Sequence, residues 1–231
     1  SISNMGYITT LLTPEEREKA GAKNGALASA TVAFDPSGSV TVNVSSVPQG
    51  QGHRTVLAQV VADELGIDLN KIMVITDHDT VKDPWSIASG NYSSRFSGAV
   101  TGAAKIASER IAKRLKIIAA ADLNTTPDHI ELKDNLARST INTDNTVALN
   151  RVASKAHWSP LSIPEGASSG LSETTFWSLP ELLEPDQMDR INSSGTYGFI
   201  FDFCGVEVNP KDGAVRIEKY VTMHDAGKIL N

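Results

Sequence analysis

The chain has 231 residues, of which 40% are hydrophobic and 21% charged, and its net charge is −6. This composition excludes a disordered chain, and the lack of a basic stripe argues against a nucleic-acid-binding protein. The single cysteine, Cys204, excludes an internal disulfide framework and a cysteine-held metal cluster built by this chain alone. Because no apolar run reaches the roughly 18 residues of a membrane span and no signal peptide is visible, we expect a cytoplasmic protein.

The first half of the chain predicts strands and helices separated by polar loops. Apolar residues that alternate with polar ones predict a hairpin over residues 28–46, with its turn at 35–38. Apolar residues at helical spacing predict a helix over roughly 54–65 and a longer one over 96–121. Between these helices, residues 72–76 have the composition of a short buried strand.

The second half predicts shorter elements and one long loop. Residues 130–139 predict a tight hairpin, 146–149 a short strand and 150–156 a short helix. Residues 157–195 contain four prolines and no periodicity, so we expect a long loop there. A last hairpin is predicted over residues 199–223.

These elements together predict an α+β fold in which mixed or antiparallel sheets, built from hairpins, pack against two helices. We expect a lead-in segment over 1–27, a subdomain over 28–150, a linker over 151–197 and a hairpin over 198–231 that begins a truncated second subdomain. Since the chain starts at Ser1 and stops just after a strand-like segment, we expect a fragment of a longer protein.

Two loops of small polar residues each lead into one of the predicted helices. Residues 50–53 (Gly-Gln-Gly-His) precede the first helix, and residues 89–95 precede the second. A helix N-terminus presents unpaired N–H groups and a partial positive charge, which suit a phosphate or similar anion. Two such junctions predict an elongated ligand held at two points. The alternative is that both are plain connections whose glycines only satisfy turn geometry.

The start of the longer helix is rich in small residues. Four residues there have a methyl side chain or none: Gly98, Ala99, Gly102 and Ala103. We therefore expect another part of the backbone to approach the helix closely at this point.

Several single residues are candidates for chemistry, each with an alternative. Arg95 could contact an anion or form a surface ion pair, and Gln51 could bind a heterocycle or be a solvated turn residue. Asp77 and Asp79 could converge on a cation, but the five histidines have no ligand spacing, so we expect no metal held by side chains. Cys204 lies in a predicted strand and is expected to be a buried, inert thiol.

Five segments form recognisable motifs in a fixed order. They are residues 50–66 (Gly-Gln-Gly-His, then an Ala-Gln-rich helix ending in Leu-Gly), 77–80 (Asp-His-Asp-Thr), 90–95 (Gly-Asn-Tyr-Ser-Ser-Arg), 206–213 (Val-Glu-Val-Asn-Pro-Lys-Asp-Gly) and 224–231 (His-Asp-Ala-Gly-Lys-Ile-Leu-Asn). This series resembles the large, molybdopterin-binding subunit of the xanthine dehydrogenase family of molybdenum hydroxylases. That family includes aldehyde oxidases and aerobic carbon monoxide dehydrogenases.

The resemblance implies a molybdenum–molybdopterin cofactor, in the cytosine dinucleotide form usual in bacterial members, although a fragment can be without it. The family's metal is held by the cofactor's dithiolene, so no metal-ligating residue is assigned. The resemblance makes 28–150 a cofactor-binding subdomain and places Ser93 where the family usually has glycine. The family's cofactor-binding positions correspond to Gly50, Gln51, Gly52, His53, Asp79, Thr80, Ser93, Ser94, Arg95 and Asp225.

The resemblance also implies an activity and partners. The parent protein would hydroxylate or oxidise an aldehyde, an N-heterocycle or a similar small substrate. Its partners would be the rest of the large subunit, an iron–sulfur subunit and an FAD subunit, and the assembly would be a homodimer of heterotrimers. The family's catalytic glutamate lies in a Gly-x-Gly-Glu segment that this sequence lacks, so no catalytic residue is assigned and the chain alone is expected to be inactive. The alternative is a non-catalytic small-ligand or protein-interaction module with the same fold.

Overall fold

A computed structural model of the protein describes Glu15 and residues 27–83, 91, 94–180, 182, 187–188, 190, 195–227 and 229. The expected lead-in segment over 1–27 therefore lies almost wholly outside the described residues. The chain divides into a first unit, Ser1–Gly195, and a second unit, Thr196–Asn231. Each is described by itself, and the four-part division expected from the sequence stays a prediction.

The first unit contains β1 (Ala28–Phe34), β2 (Val40–Val44), α1 (His53–Leu65), β3 (Ile72–Ile75), α2 (Thr101–Asp122), β4 (Ile130–Lys133), β5 (Leu136–Ser139), β6 (Thr146–Ala148), α3 (Leu149–Trp158) and β7 (Ser172–Trp177), and the second contains β8 (Phe199–Val208) and β9 (Val215–Asp225). A π-helical turn, Phe96–Val100, runs directly into α2. The predicted α+β fold is confirmed. Among the helices that are described, none is long and apolar enough to cross a membrane.

The main sheet has the strand order β3-β2-β1-β7. The β1–β2 hairpin is antiparallel with Val32 opposite Val42, while β3 runs parallel to β2. Parallel neighbours need a crossover connection, and α1 provides it. Every second residue of β2 is buried, so one face of the sheet meets the core.

Both long helices pack on this sheet and against each other. The fully buried apolar residues of α1 and α2 are Leu57, Val61, Leu65, Ala103, Ala104, Ala107, Ile111, Leu115, Ile118 and Ala119. The alanines keep α2 close to its neighbours, because a short side chain lets two elements approach.

A smaller three-stranded sheet, β4-β5-β6, lies at the end of α1. Gly66 closes α1 with φ +64, and a Cβ atom there would overlap the backbone of Leu132 in β4. The Gly66 carbonyl accepts the N–H of Asn135 at 2.8 Å. This glycine is therefore needed both for its left-handed conformation and for the close contact.

The loop predicted over residues 157–195 was wrong over Ser172–Trp177, which forms β7. This strand pairs antiparallel with β1 from Ala28↔Trp177 to Ala33↔Ser172. It lacks the alternation expected of a strand because the only residue of β7 that is buried is a polar one, Thr175, whose hydroxyl donates to the Ala103 carbonyl at 2.6 Å. A polar strand of this kind gives no hydrophobic signal.

The second unit is an antiparallel hairpin of β8 and β9 with a register shift at Gly205 and Val206. The turn closes with the Gly213 N–H donating to the Asn209 carbonyl at 2.8 Å. Cys204 is exposed, so the expectation of a buried thiol was wrong. The reason is that β8 pairs only with β9 in a two-stranded sheet, and no further layer among the described residues of the second unit covers either face of β8.

Candidate functional site

The first junction leads from the end of β2 to the first residue of α1. Gly50 and Gly52 have φ values of +103 and +75, and a Cβ atom on either would meet nothing within 4 Å. Gly52 is also the N-cap of α1, which has no side-chain cap. The helix therefore begins with uncapped backbone N–H groups beside open space, which is what an anionic ligand needs.

Gln51 lies between these glycines and is exposed. Its Oε1 atom accepts the backbone N–H of Gln49. The carboxamide thus shapes the turn, and its role toward a heterocycle stays a prediction.

His53, the first residue of α1, is fully buried. Its imidazole stacks on the ring of Phe96, with centroids 3.6 Å apart and planes 5° from parallel. Both ring nitrogens are enclosed without a hydrogen bond of normal geometry. Burial lowers the pKa of His53, and the nearby backbone of Ser46 offsets part of that effect. The ring is therefore neutral at neutral pH.

The second junction is joined to the first by Asn91. Its Oδ1 accepts the Ser46 hydroxyl at 2.7 Å, and its Nδ2 donates to the Val47 carbonyl at 3.0 Å. Since Phe96 opens the π-helical turn before α2, the His53–Phe96 stack also joins the two helix starts. The two junctions predicted from sequence thus lie side by side.

Ser94 and Arg95 belong to this second junction, whereas Ser93 lies outside the described residues. Ser94 is exposed with φ +55, a conformation that glycine adopts more readily. Arg95 is fully buried, and its Nη2 donates to the Leu27 carbonyl at 2.9 Å. The surface ion pair considered from sequence was therefore wrong. Burial lowers the pKa of Arg95, whose role toward an anion stays a prediction.

The loop after β3 is organised by Asp83 rather than by Asp79. The carboxylate of Asp83 accepts the Asn43 amide and the Asp79 N–H, both at 2.6 Å. The carboxylate of Asp79 accepts the Val81 N–H at 2.9 Å and pairs with Lys82 at 3.0 Å. These contacts, the Val81 N–H first, lower the pKa of Asp79.

Thr80 and Asp225 are the two remaining predicted cofactor-binding positions. Thr80 is exposed in the same loop. Asp225 ends β9 in the second unit, where it accepts the Gly227 N–H at 3.2 Å. No group of three or more His, Cys, Asp or Glu side chains in the described part of the chain could hold a metal ion.

Sequence reasoning missed the residues that hold the junctions together. Ser46, Asn91 and Phe96 carry the contacts between them, and Asp83 orders the neighbouring loop. One signal was available, because His53 directly precedes one predicted helix and Phe96 begins the other, and both are ring residues.

A family model for the molybdopterin cofactor-binding domain matches residues 3–231. The nicotine 6-hydroxylase large subunit of Paenarthrobacter nicotinovorans is 33% identical over 202 residues, which cover 87% of this chain and 23% of that subunit. The carbon monoxide dehydrogenase large chain of Hydrogenophaga pseudoflava is 24% identical over 207 residues, or 90% of this chain and 23% of that one.

Solved structures have the same fold. Quinoline 2-oxidoreductase from Pseudomonas putida 86 aligns with a TM-score of 0.70 at 24% identity, over 90% of this chain and 24% of that one. The carbon monoxide dehydrogenase of Oligotropha carboxidovorans aligns with a TM-score of 0.69 at 24% identity, over 87% of this chain and 22% of that one. The chain thus spans less than a quarter of the length of the curated relatives it matches.

Proposed function

The chain belongs to the molybdopterin cofactor-binding domain family of molybdenum hydroxylase large subunits, and we propose that it forms part of the cofactor cradle of a longer oxidoreductase subunit. The observation that carries this proposal is the joining of two helix starts by the His53–Phe96 stack and by Asn91. An elongated ligand with a pyrophosphate would meet backbone N–H groups at both junctions.

The residues present fit such a ligand. Gly50 and Gly52 keep open space beside an uncapped helix N-terminus, so a ligand can reach the backbone. We propose that these glycines, Gln51 and His53 bind the pterin side, and that the neutral His53 ring fixes the start of α1. When bound, the molybdenum cofactor would supply the two-electron redox chemistry of the parent enzyme.

The remaining assigned residues are proposed to complete the cradle. Ser93, Ser94 and Arg95 would serve the second junction, with Arg95 holding the loop from within. Asp79 and Thr80 would contribute from the loop after β3. Asp225, at the end of β9 in the second unit, is proposed as a further cofactor-binding residue. The cytosine dinucleotide form of the cofactor is part of the proposal, because an added nucleotide lengthens the ligand toward a second anchoring point.

We further propose that the parent enzyme, of the xanthine dehydrogenase and aldehyde oxidase type, oxidises an N-heterocycle, an aldehyde or a similar small substrate. Support comes from the relative named as a nicotine hydroxylase.

Partners would be the rest of the large subunit, an iron–sulfur subunit and an FAD subunit, in a homodimer of heterotrimers in the cytoplasm. The name "large subunit" of that relative supports a multi-subunit assembly. Because the chain lacks a Gly-x-Gly-Glu segment, we expect no activity from it alone.

The experiment compares two glycines in the full-length protein. Gly52 and Gly170 have φ values of +75 and +74, and a Cβ atom on either meets nothing within 4 Å. Gly52→Ala and Gly170→Ala should therefore cost a similar backbone strain, about 1–2 kcal/mol each. Only Gly52→Ala puts a methyl group where the cofactor would approach.

Molybdenum per subunit, measured by elemental analysis, and pterin released on denaturation are the readouts. We expect both to fall in Gly52→Ala and to stay unchanged in Gly170→Ala. Equal contents in the two folded variants would contradict a cofactor contact at the first junction.

A further inference from the structure

The β8–β9 hairpin exposes large apolar side chains on one face. Cross-strand partners share a face of a sheet, and here Phe201 lies opposite Met223 while Phe203 lies opposite Val221. These four side chains are 41% to 66% exposed. A row of such residues resembles the inner face of a packed sheet rather than a surface exposed to water.

The other face of the hairpin also exposes apolar side chains. Successive residues of β8 point to opposite faces, so Val206 and Val208 lie on the face away from Phe203. Their partners are Ile217 and Val215. All four aliphatic side chains are 51% to 63% exposed. A sheet covered on one side alternates apolar with polar residues. This hairpin instead carries large apolar side chains on both faces, alongside a minority of polar ones such as Asp202 and Thr222.

The turn end of the hairpin also carries charged side chains. Arg216 pairs with Glu207 at 2.9 Å and with Glu218 at 2.5 Å, and all three side chains are exposed. The turn over residues 209–214 contains Asn, Lys and Asp side chains, and two of them accept backbone N–H groups of the turn. The turn itself is therefore suited to contact with water.

We propose that the hairpin is enclosed between two layers of the longer polypeptide to which this chain belongs, with its turn left in water. The proposal rests on the proposed function only in taking the chain as part of a longer subunit. Relatives leave about three quarters of their length outside the matched region, which is ample material for two layers. A second copy of the chain would bind through one face around a two-fold axis and leave the other face in water.

Hydrogen exchange on the full-length protein tests the enclosure. A two-stranded hairpin alone is marginal in water, so its amides would exchange as fast as those of an exposed loop. Enclosed strands should exchange about 100-fold or more slowly, at a rate comparable to α2. Exchange of Phe199–Val208 and Val215–Asp225 at the rate of the 140–145 loop would overturn the proposal, as would an open reading frame with no further polypeptide.

Two substitutions test the faces separately. Phe201→Asp and Val206→Asp each put a carboxylate on one face, and Ile141→Asp is the control because Ile141 is 71% exposed in a loop of the first unit. We expect each hairpin variant to lower the yield of folded subunit about tenfold or more, and the control to leave it unchanged.

Other outcomes separate the alternatives. If one hairpin variant only converts a dimer into a folded monomer, a second copy covers that face and the proposal is wrong. The molybdenum content of the Gly52→Ala variant is independent of these measurements, so the proposed function and the enclosure can fail separately.

Discussion

The imidazole of His53 and the ring of Phe96 stack with centroids 3.6 Å apart, and each ring belongs to the first residue of a different helical segment. His53 is fully buried and Phe96 nearly so. Two flat rings in contact define both a spacing and an angle between the helix starts. The stack therefore determines how far apart the N–H groups of the two junctions lie.

Phe96→Leu should loosen this spacing while keeping an apolar side chain. We expect the free energy of unfolding to fall by about 1–3 kcal/mol, because the aromatic contact is lost and a gap remains. Urea unfolding measures this change. Phe176→Leu is the control, since Phe176 is 49% exposed on β7 and should change stability by less than about 0.5 kcal/mol. Similar losses in the two variants would mean that the stack adds no stability.

The buried His53 also predicts a pH dependence. Burial holds the pKa of His53 below its ordinary value of 6.5, so the unfolded chain binds a proton more readily than the folded one. Its contribution to stability is therefore fully present above pH 6.5 and is lost as pH falls toward the folded pKa. Urea unfolding between pH 7.5 and pH 5, with ~0.5-unit steps, should show a smaller loss of stability in His53→Phe than in the wild type. The exposed His129→Phe variant should keep the wild-type pH dependence.

The sequence predicted most of the fold because its signals are local. The β1–β2 hairpin alternates with period two, and α1 and α2 follow helical spacing up to recognisable ends. The strand β7 was missed because its contacts are tertiary: Thr175 bonds to the backbone of α2, and the pairing is with β1 far along the chain. Nothing in a single polar segment encodes such a pairing.

The helices after both junctions begin where the sequence predicted them, whereas the contacts within the junctions were predicted only in part, and cofactor binding there stays a prediction. The glycines at 50 and 52 indicated the first junction, because glycine at a helix start suits a close ligand. The burial of Arg95 could not be predicted from the sequence, because it involves a hydrogen bond to the carbonyl of Leu27. Leu27 lies just before β1 and is distant from Arg95 in the sequence. The bridging role of Asn91 depends in the same way on two residues that precede it by a whole helix and strand.

Asn91→Asp should separate the two junctions. The new carboxylate can still accept the Ser46 hydroxyl, but it cannot donate to the Val47 carbonyl. Its negatively charged oxygen would instead face the Val47 carbonyl oxygen and repel it. We expect faster hydrogen exchange over residues 45–52 and a loss of roughly 0.5–1.5 kcal/mol in stability, as for one neutral hydrogen bond. Asn145→Asp is matched, because Asn145 also donates from Nδ2 to a backbone carbonyl, that of Leu123, at 2.9 Å. Equal exchange over 45–52 in both variants would contradict the bridge.

Arg95→Met should distinguish a cofactor role from a structural one. Methionine keeps the apolar stem but removes the charge and the donor to Leu27. The loss of a buried hydrogen bond, roughly 1–3 kcal/mol, is partly offset because a charge no longer has to be buried. We expect the variant to fold, with less molybdenum per subunit in the full-length protein than Lys113→Met, a change at an exposed cation of α2. Equal molybdenum contents would mean that Arg95 only fastens the second junction.

We expect Gly102→Ala in α2 to lower the stability of the protein, although helix propensity alone would predict an increase. Alanine is favoured over glycine inside a helix by about 0.8–1.0 kcal/mol, so an unobstructed substitution would be stabilising. Here a Cβ atom would lie 2.6 Å from Cδ1 and 2.7 Å from Nε1 of Trp177, so the indole must move. The close approach expected at the start of this helix is thus made by a side chain rather than by backbone. We expect Gly102→Ala to destabilise by about 1–3 kcal/mol in urea unfolding. Adding Trp177→Leu removes the clash, so in that background the same substitution should become neutral or stabilising. A destabilisation of equal size in both backgrounds would show that the indole does not set the need for glycine.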